Sequence, residues 1–140
     1  MKIRVRDVVT SGIRFEYVVK PEEIGLAGED FIEPENPVRV IADLKRVDDF
    51  ILGKLAVTFI CESYCARCLE HLSREITSHY EVDFEIEDGQ EWLDLGERVR
   101  EEMVFECFPR TLCREDCKGI CPDCGADLNS EKCECNKGSK

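Results

Sequence analysis

No stretch of the sequence approaches the ~18 consecutive apolar residues that a membrane-spanning helix needs. Nor does a basic start lead into an apolar core at the N-terminus. Met1, Lys2, Ile3, Arg4, Val5 and Arg6 alternate charged and apolar side chains, which is not the pattern of a signal peptide. A cytoplasmic protein is therefore expected, without a membrane partner. Histidine is scarce, with His71 and His79 alone, and no Ser-His-Asp or Cys-His constellation can be assembled. No glycine-rich phosphate loop appears. No catalytic residue is assigned, and neither enzymatic activity nor a small-molecule substrate is expected.

Positive charge is also in short supply. Lys and Arg number 19 against 31 Asp and Glu, a net charge of −12. Such a chain repels bare nucleic acid at long range and attracts basic proteins. The acid is unevenly spread. Residues 70–106 hold 13 acids and 3 bases, a net of −10, whereas residues 1–69 net −2 and residues 107–140 net zero. One segment thus carries the acidic surface, either as a solvated face or as a docking surface for a basic partner.

What is plentiful is cysteine, with ten in 140 residues. In a reducing compartment this number argues for metal or chemistry rather than a disulfide frame. The thiols fall into close pairs: Cys65-x2-Cys68, Cys113-x3-Cys117, Cys121-x2-Cys124-Gly125 and Cys133-x-Cys135. Two cysteines separated by two residues can both reach one ion while the intervening N–H groups point at the thiolates. Gly125 lets the chain turn away with positive φ, and Pro122 presets a dihedral. Zinc takes four such ligands in a tetrahedron. Residues 113–135 contain only Ile120 and Leu128 as large aliphatics, so bound metal must replace a core there.

Eight paired thiols suggest two four-cysteine sites, for two zinc ions in preference to an iron–sulfur cluster. The preferred grouping places Cys65, Cys68, Cys113 and Cys117 on one ion and Cys121, Cys124, Cys133 and Cys135 on the other, because it needs fewer chain crossings. The rival grouping exchanges Cys113 and Cys117 for Cys121 and Cys124. Cys61 and Cys107 fall in phase with buried faces and read as small core residues. A thioredoxin-type role for Cys65 and Cys68 lacks its βαβ context, since a period-2 strand follows Cys68.

Period-2 alternation dominates the first 86 residues. Ile13 to Val19, Val38 to Leu44, Ile51 to Cys61 and Leu72 to Ile86 each place apolar side chains on one face. Asp48 and Asp49 mark a hairpin turn. Residues 21–37, with three prolines, two glycines and six acids, read as a long surface connection and the most mobile part. After Gly89 the period changes. Leu95, Val99, Met103 and Cys107 form the stripe of an amphipathic helix, capped by Asp94 and ended by Pro109. The expected class is α+β: an antiparallel, meander-like β-sheet packed by one amphipathic helix, with a C-terminal Cys-rich zinc ribbon. Residues 1–110 would form the sheet-plus-helix domain and 111–140 the zinc-binding module packed on it.

The segments "CARCLE", "LDLGERVREEMV" and "CREDCKGICPDCGADLN", with the final Cys-x-Cys, resemble the YceD family of bacteria and chloroplasts over roughly residues 37–135. That family is described as needed for accumulation of large-subunit (23S) ribosomal RNA. Arg67, Leu69 and Glu70 match its motif beside the first pair, and Gly119, Pro122, Gly125, Leu128 and Asn129 match it around the second. Members without the terminal ribbon keep the first pair and a His or Cys after the helix, which favours joining Cys65 and Cys68 to Cys113 and Cys117. The resemblance implies a non-enzymatic ribosome-biogenesis factor. Its partner would be ribosomal RNA, a precursor large subunit or a basic ribosomal protein. Arg67, Arg110, Arg114 and Lys118, close to the cysteines, are the candidate contacts to RNA or a partner.

Overall fold

The fold was taken from a computed structural model, which describes residues 1–107 and 111–135. Among these residues it is α+β, with two antiparallel sheets and one α-helix. Strand β1 (Lys2–Arg4) is followed by β2 (Ile13–Val19), β3 (Val38–Val47), β4 (Phe50–Tyr64), β5 (His71–Glu85), β6 (Trp92–Asp94) and helix α1 (Leu95–Cys107). Strands β2 to β5 form a four-stranded meander in chain order, and β1 pairs with β6 in a separate ribbon. Among the described residues no helix is long and apolar enough to cross a membrane.

The alternation seen in the sequence sets the two faces of the meander. Val38, Val40, Ala42 and Leu44 of β3 and Ile51, Leu55, Val57 and Phe59 of β4 point inward and are buried. Leu95, Val99 and Met103 of α1 complete that core with Ile3, Val5 and Leu93 of the ribbon and the turn after it. Burial of this apolar face is the main force holding sheet and helix together. Asp48 and Asp49 form the β3–β4 turn, with Asp48 at φ +52°. The Asp94 carboxylate accepts the N–H of Gly96 at 2.8 Å and caps α1. Pro109, expected to end the helix, lies outside the described residues.

One sequence-based expectation is overturned, and one pairing was not foreseen. Residues 21–37 are more than a surface connection. Pro21–Ile24 form a 3-10 turn, and Ile24, Leu26 and Ile32 enter the core at 5%, 1% and 4% exposure. Three isolated apolar residues among acids and prolines show no period, so their burial leaves no local signature. The meander has the four strands that the alternation marks, and the N-terminal strand lies outside it, joined to β6 with Lys2 opposite Asp94.

Candidate metal centres

Strands β4 and β5 are long, and the six-residue turn between them passes over one end of the sheet. Cys65 and Cys68 sit there, built into a tight knuckle. The N–H of Leu69 donates to the Cys65 carbonyl at 3.0 Å, and the N–H of Cys65 donates to the Glu70 carbonyl at 2.9 Å. Leu69 takes a φ of +62°, a left-handed conformation unusual for a leucine. The segment after α1 brings Cys113 and Cys117 to the same place. The sulfurs of Cys65 and Cys117 lie 3.7 Å apart, and those of Cys68 and Cys113 3.6 Å apart.

The second knuckle repeats the first. The N–H of Gly125 donates to the Cys121 carbonyl at 2.9 Å, and the N–H of Cys121 donates to the Ala126 carbonyl at 2.8 Å. Gly125 occupies the left-handed position, at φ +75°, with no strain. Cys133 approaches Cys121 to 3.2 Å and Cys124 to 3.5 Å, sulfur to sulfur. Cys135 completes this set. In each group of four, all sulfurs lie within 4.8 Å of one another. A tetrahedron with metal–sulfur bonds of ~2.3 Å has edges of about 3.8 Å, so both groups have the dimensions to hold a metal ion.

The two groups are joined by residues 117–121 and by a hairpin in which Ile120 bridges Asp127. The Asn129 side chain spans the junction. Its Nδ2 donates to Cys117 Sγ at 3.4 Å, and its Oδ1 accepts the N–H of Lys118 at 2.8 Å. Gly119, at φ +77°, brings the hairpin against the first knuckle, where the N–H of Ile120 donates to the Arg67 carbonyl at 3.2 Å. A Cβ on Gly119 would stand 2.9 Å from that carbonyl oxygen.

The protonation of these thiols also points to a cation. Cys65 is drawn down to about 6, first by the N–H of Cys68 and then by those of Cys113 and Arg67, against its burial. Cys121 is drawn down to about 7 by the N–H of Cys124, the Cys133 thiol and the N–H of Asp123. Burial works to raise Cys117, but the Asn129 amide and the Gly119 N–H lower it. Cys113 is pushed up, first by burial and then by its three thiol neighbours. Backbone donors thus favour thiolates, while crowding of the sulfurs forbids four at once unless a positive ion shares the charge.

The family model described as "Large ribosomal RNA subunit accumulation protein YceD" matches residues 53–140. The chain belongs to the YceD family. A relative from Arabidopsis thaliana, "Large ribosomal RNA subunit accumulation protein YCED homolog 1, chloroplastic", is 35% identical over 48 residues, covering 34% of this chain and 15% of that protein. No solved structure matches.

In this YceD-family chain the four candidate contact residues behave differently. Arg67 Nη1 donates to the carbonyls of Cys117 at 2.8 Å and Glu115 at 3.4 Å, lacing the first knuckle to the segment after the helix. Arg114 Nε stands 3.5 Å from Asp116. Lys118 contributes its backbone N–H to Asn129 and is itself exposed. Arg110 lies outside the described residues. The bases of the first strands are divided between the sheets. Arg4 stacks over Trp92 in the ribbon at 5.1 Å, whereas Arg39 and Lys45 lie on the open face of β3.

Cys61 is buried and Cys107 half-buried, and their thiols meet between β4 and the end of α1. His71 has a buried partner although its own side chain is exposed. Its Nε2 lies 3.0 Å from an oxygen of buried Glu62, whose other oxygen accepts the Ser73 hydroxyl at 2.8 Å. Glu62 breaks the polar-out pattern only by its burial. Nothing in the alternation marks it.

Proposed function

We propose that this YceD-family chain is a non-enzymatic, zinc-binding factor of ribosome biogenesis that supports accumulation of large-subunit ribosomal RNA. Two all-thiol groups of tetrahedral size carry the metal assignment, since thiolate ligands at these separations suit zinc. Cys65, Cys68, Cys113 and Cys117 would hold one ion and Cys121, Cys124, Cys133 and Cys135 the other. Bound zinc would supply binding energy, ~10–16 kcal/mol per structural site, to a segment with almost no apolar core. The chain's own part is to aim N–H groups at the sulfurs and to lock the hairpin onto the β4–β5 turn through Arg67, Gly119 and Asn129.

The process assignment rests on the family. Direct RNA contact would use Arg67, Arg110, Arg114 and Lys118, beside centres that each add about two negative charges when four thiolates hold a divalent ion. Metal analysis of natively purified protein, with Cys-to-Ser variants tested for restoring large-subunit ribosomal RNA in depleted cells, tests the reading. Folded protein free of metal, or normal RNA levels after depletion, would refute it.

A second reading is favoured by charge. The net −10 of residues 70–106 suits an adaptor that grips a basic ribosomal protein, with its effects on RNA indirect. A pull-down from nuclease-treated lysate separates the two, because an RNA-bridged partner is lost and a directly held basic protein is retained.

A further inference from the structure

Strand β5 closes one side of the meander, and among the described residues nothing pairs with its other side. Its register with β4 runs unbroken from Phe50 opposite Glu85 to Tyr64 opposite His71. It contains no proline and no bulge. Fifteen residues therefore leave about seven free N–H and C=O pairs along one edge. Proteins usually guard such an edge by shortening it, kinking it, inserting proline or charging it. Only charge is used here, and it is mostly acidic: Glu75, Glu81, Asp83 and Glu85 against the one base Arg74, whose guanidinium already donates to the Leu112 carbonyl at 2.6 Å. The opposite edge, β2, has seven residues and carries both Arg14 and Glu16 on its open face.

Two further observations concern what would fit. On the open face, Glu75, Asp83 and Glu85 stand opposite Ile60, Leu52 and Phe50, not opposite bases, while Glu81 faces Lys54 across an exposed ion pair of 3.6 Å. Leu52 and Phe50 are 43% and 42% exposed. On the core face, Ile76, Tyr80 and Phe84 remain half-exposed, whereas Ile51, Leu55, Val57 and Phe59 of neighbouring β4 are at most 1% exposed. The core is left incompletely covered along this edge. Glu102 and Glu106 of α1 bear on Tyr80 from that side, so acid flanks the edge above and below.

We propose that an extended basic segment of a partner protein adds to β5 as a fifth strand. Lys or Arg side chains at alternate positions would lie over Glu75, Glu81, Asp83 and Glu85. Apolar side chains at the intervening positions would close the core over Ile76, Tyr80 and Phe84. Main-chain hydrogen bonds supply affinity, and the two side-chain rows supply specificity. A second copy of this chain is a poor occupant, because pairing β5 with itself sets carboxylates against carboxylates. The inference rests on the adaptor reading and specifies how that adaptor holds its partner.

The test uses metal-loaded full-length protein and an octapeptide of alternating Lys and Val. A matched peptide N-methylated at alternate amides, which keeps the charge but cannot donate along one edge, is the control. Fluorescence anisotropy should show the first binding and the second at least about tenfold weaker, with new amide-exchange protection confined to residues 71–85. Charge reversal by Glu81→Lys, Asp83→Lys and Glu85→Lys should weaken the first peptide by about tenfold or more. Equal binding of both peptides would overturn strand addition and leave an electrostatic adaptor standing. Failure of both peptides to bind wild-type protein would remove strand addition, while the lysate pull-down would still decide the adaptor reading. The peptide comparison on wild-type protein is decisive even if the charge-reversed variant misfolds.

Discussion

Replacing Gly119 with alanine isolates the contact that holds the two metal centres together. Two costs apply. The position has a φ of +77°, where an L-residue loses roughly 1–2 kcal/mol. The new methyl would also stand 2.9 Å from the Arg67 carbonyl oxygen, a backbone atom already tied to the Ile120 N–H. Relieving such overpacking costs a further ~1–3 kcal/mol. The sum, about 2–5 kcal/mol, falls on the docking of the hairpin against the first knuckle. If it is expressed in metal retention, zinc affinity falls by about 30-fold or more. Gly125 is the internal control. Its φ of +75° is nearly the same, but nothing lies within 4 Å of a Cβ there, so alanine should cost only the ~1–2 kcal/mol of backbone strain. Leu69 occupies the corresponding place in the first knuckle at φ +62°. Leu69→Gly relieves strain but loosens the unfolded chain, and the two effects nearly cancel. Competition with a chromogenic chelator should rank the variants Gly119→Ala worst, Gly125→Ala intermediate and Leu69→Gly near wild type. Equal damage from the two alanine variants would refute the claim that close approach to Arg67 matters beyond the dihedral.

Asn129→Ala should weaken the Cys117 centre by about 1.5–3 kcal/mol, the scale of a hydrogen bond to a charged group, and should shift the sulfur-to-metal charge-transfer band of the cobalt-substituted protein. Stripping metal with a chelator should abolish amide protection in residues 111–135 while β3 and β4 stay protected, because the core of the meander contains none of the eight cysteines of the two metal groups. Burial pushes the Cys61 and Cys107 thiols up, while the unfolded thiols ionise near pH ~8.5. Their contribution to stability is therefore complete below about pH 8.5 and declines as the pH rises from there toward the folded values. Denaturant midpoints should fall over that range, and Cys61→Ala with Cys107→Ala should flatten the slope, although the variant starts from a lower stability.

Local chemistry made much of this molecule legible in advance. Alternation along Val38–Val47 and Phe50–Tyr64 names the strands and the buried face, because side chains of a strand point to opposite sides in turn. Asp48 and Asp49 place the turn, Asp94 places the start of the helix, and the cysteine spacings announce knuckles. Each of these signals is carried by residues within one or two turns of each other. The unforeseen features join residues far apart. Lys2 pairs with Asp94, Leu26 and Ile32 fill the core from an acidic loop, Glu62 is buried beneath His71, and Gly119 meets the Arg67 backbone.

Sequence by itself determined which segments extend, which coils, and which sulfurs come in pairs, since these follow from propensities and periods a few residues long. Only the tertiary structure decided which pairs of sulfurs share a centre, and that one of the two longest strands ends the sheet with an edge that no other described residue pairs with. Both outcomes depend on how the sheet, the turn after β4 and the segment after α1 pack in three dimensions. No local pattern encodes that closure.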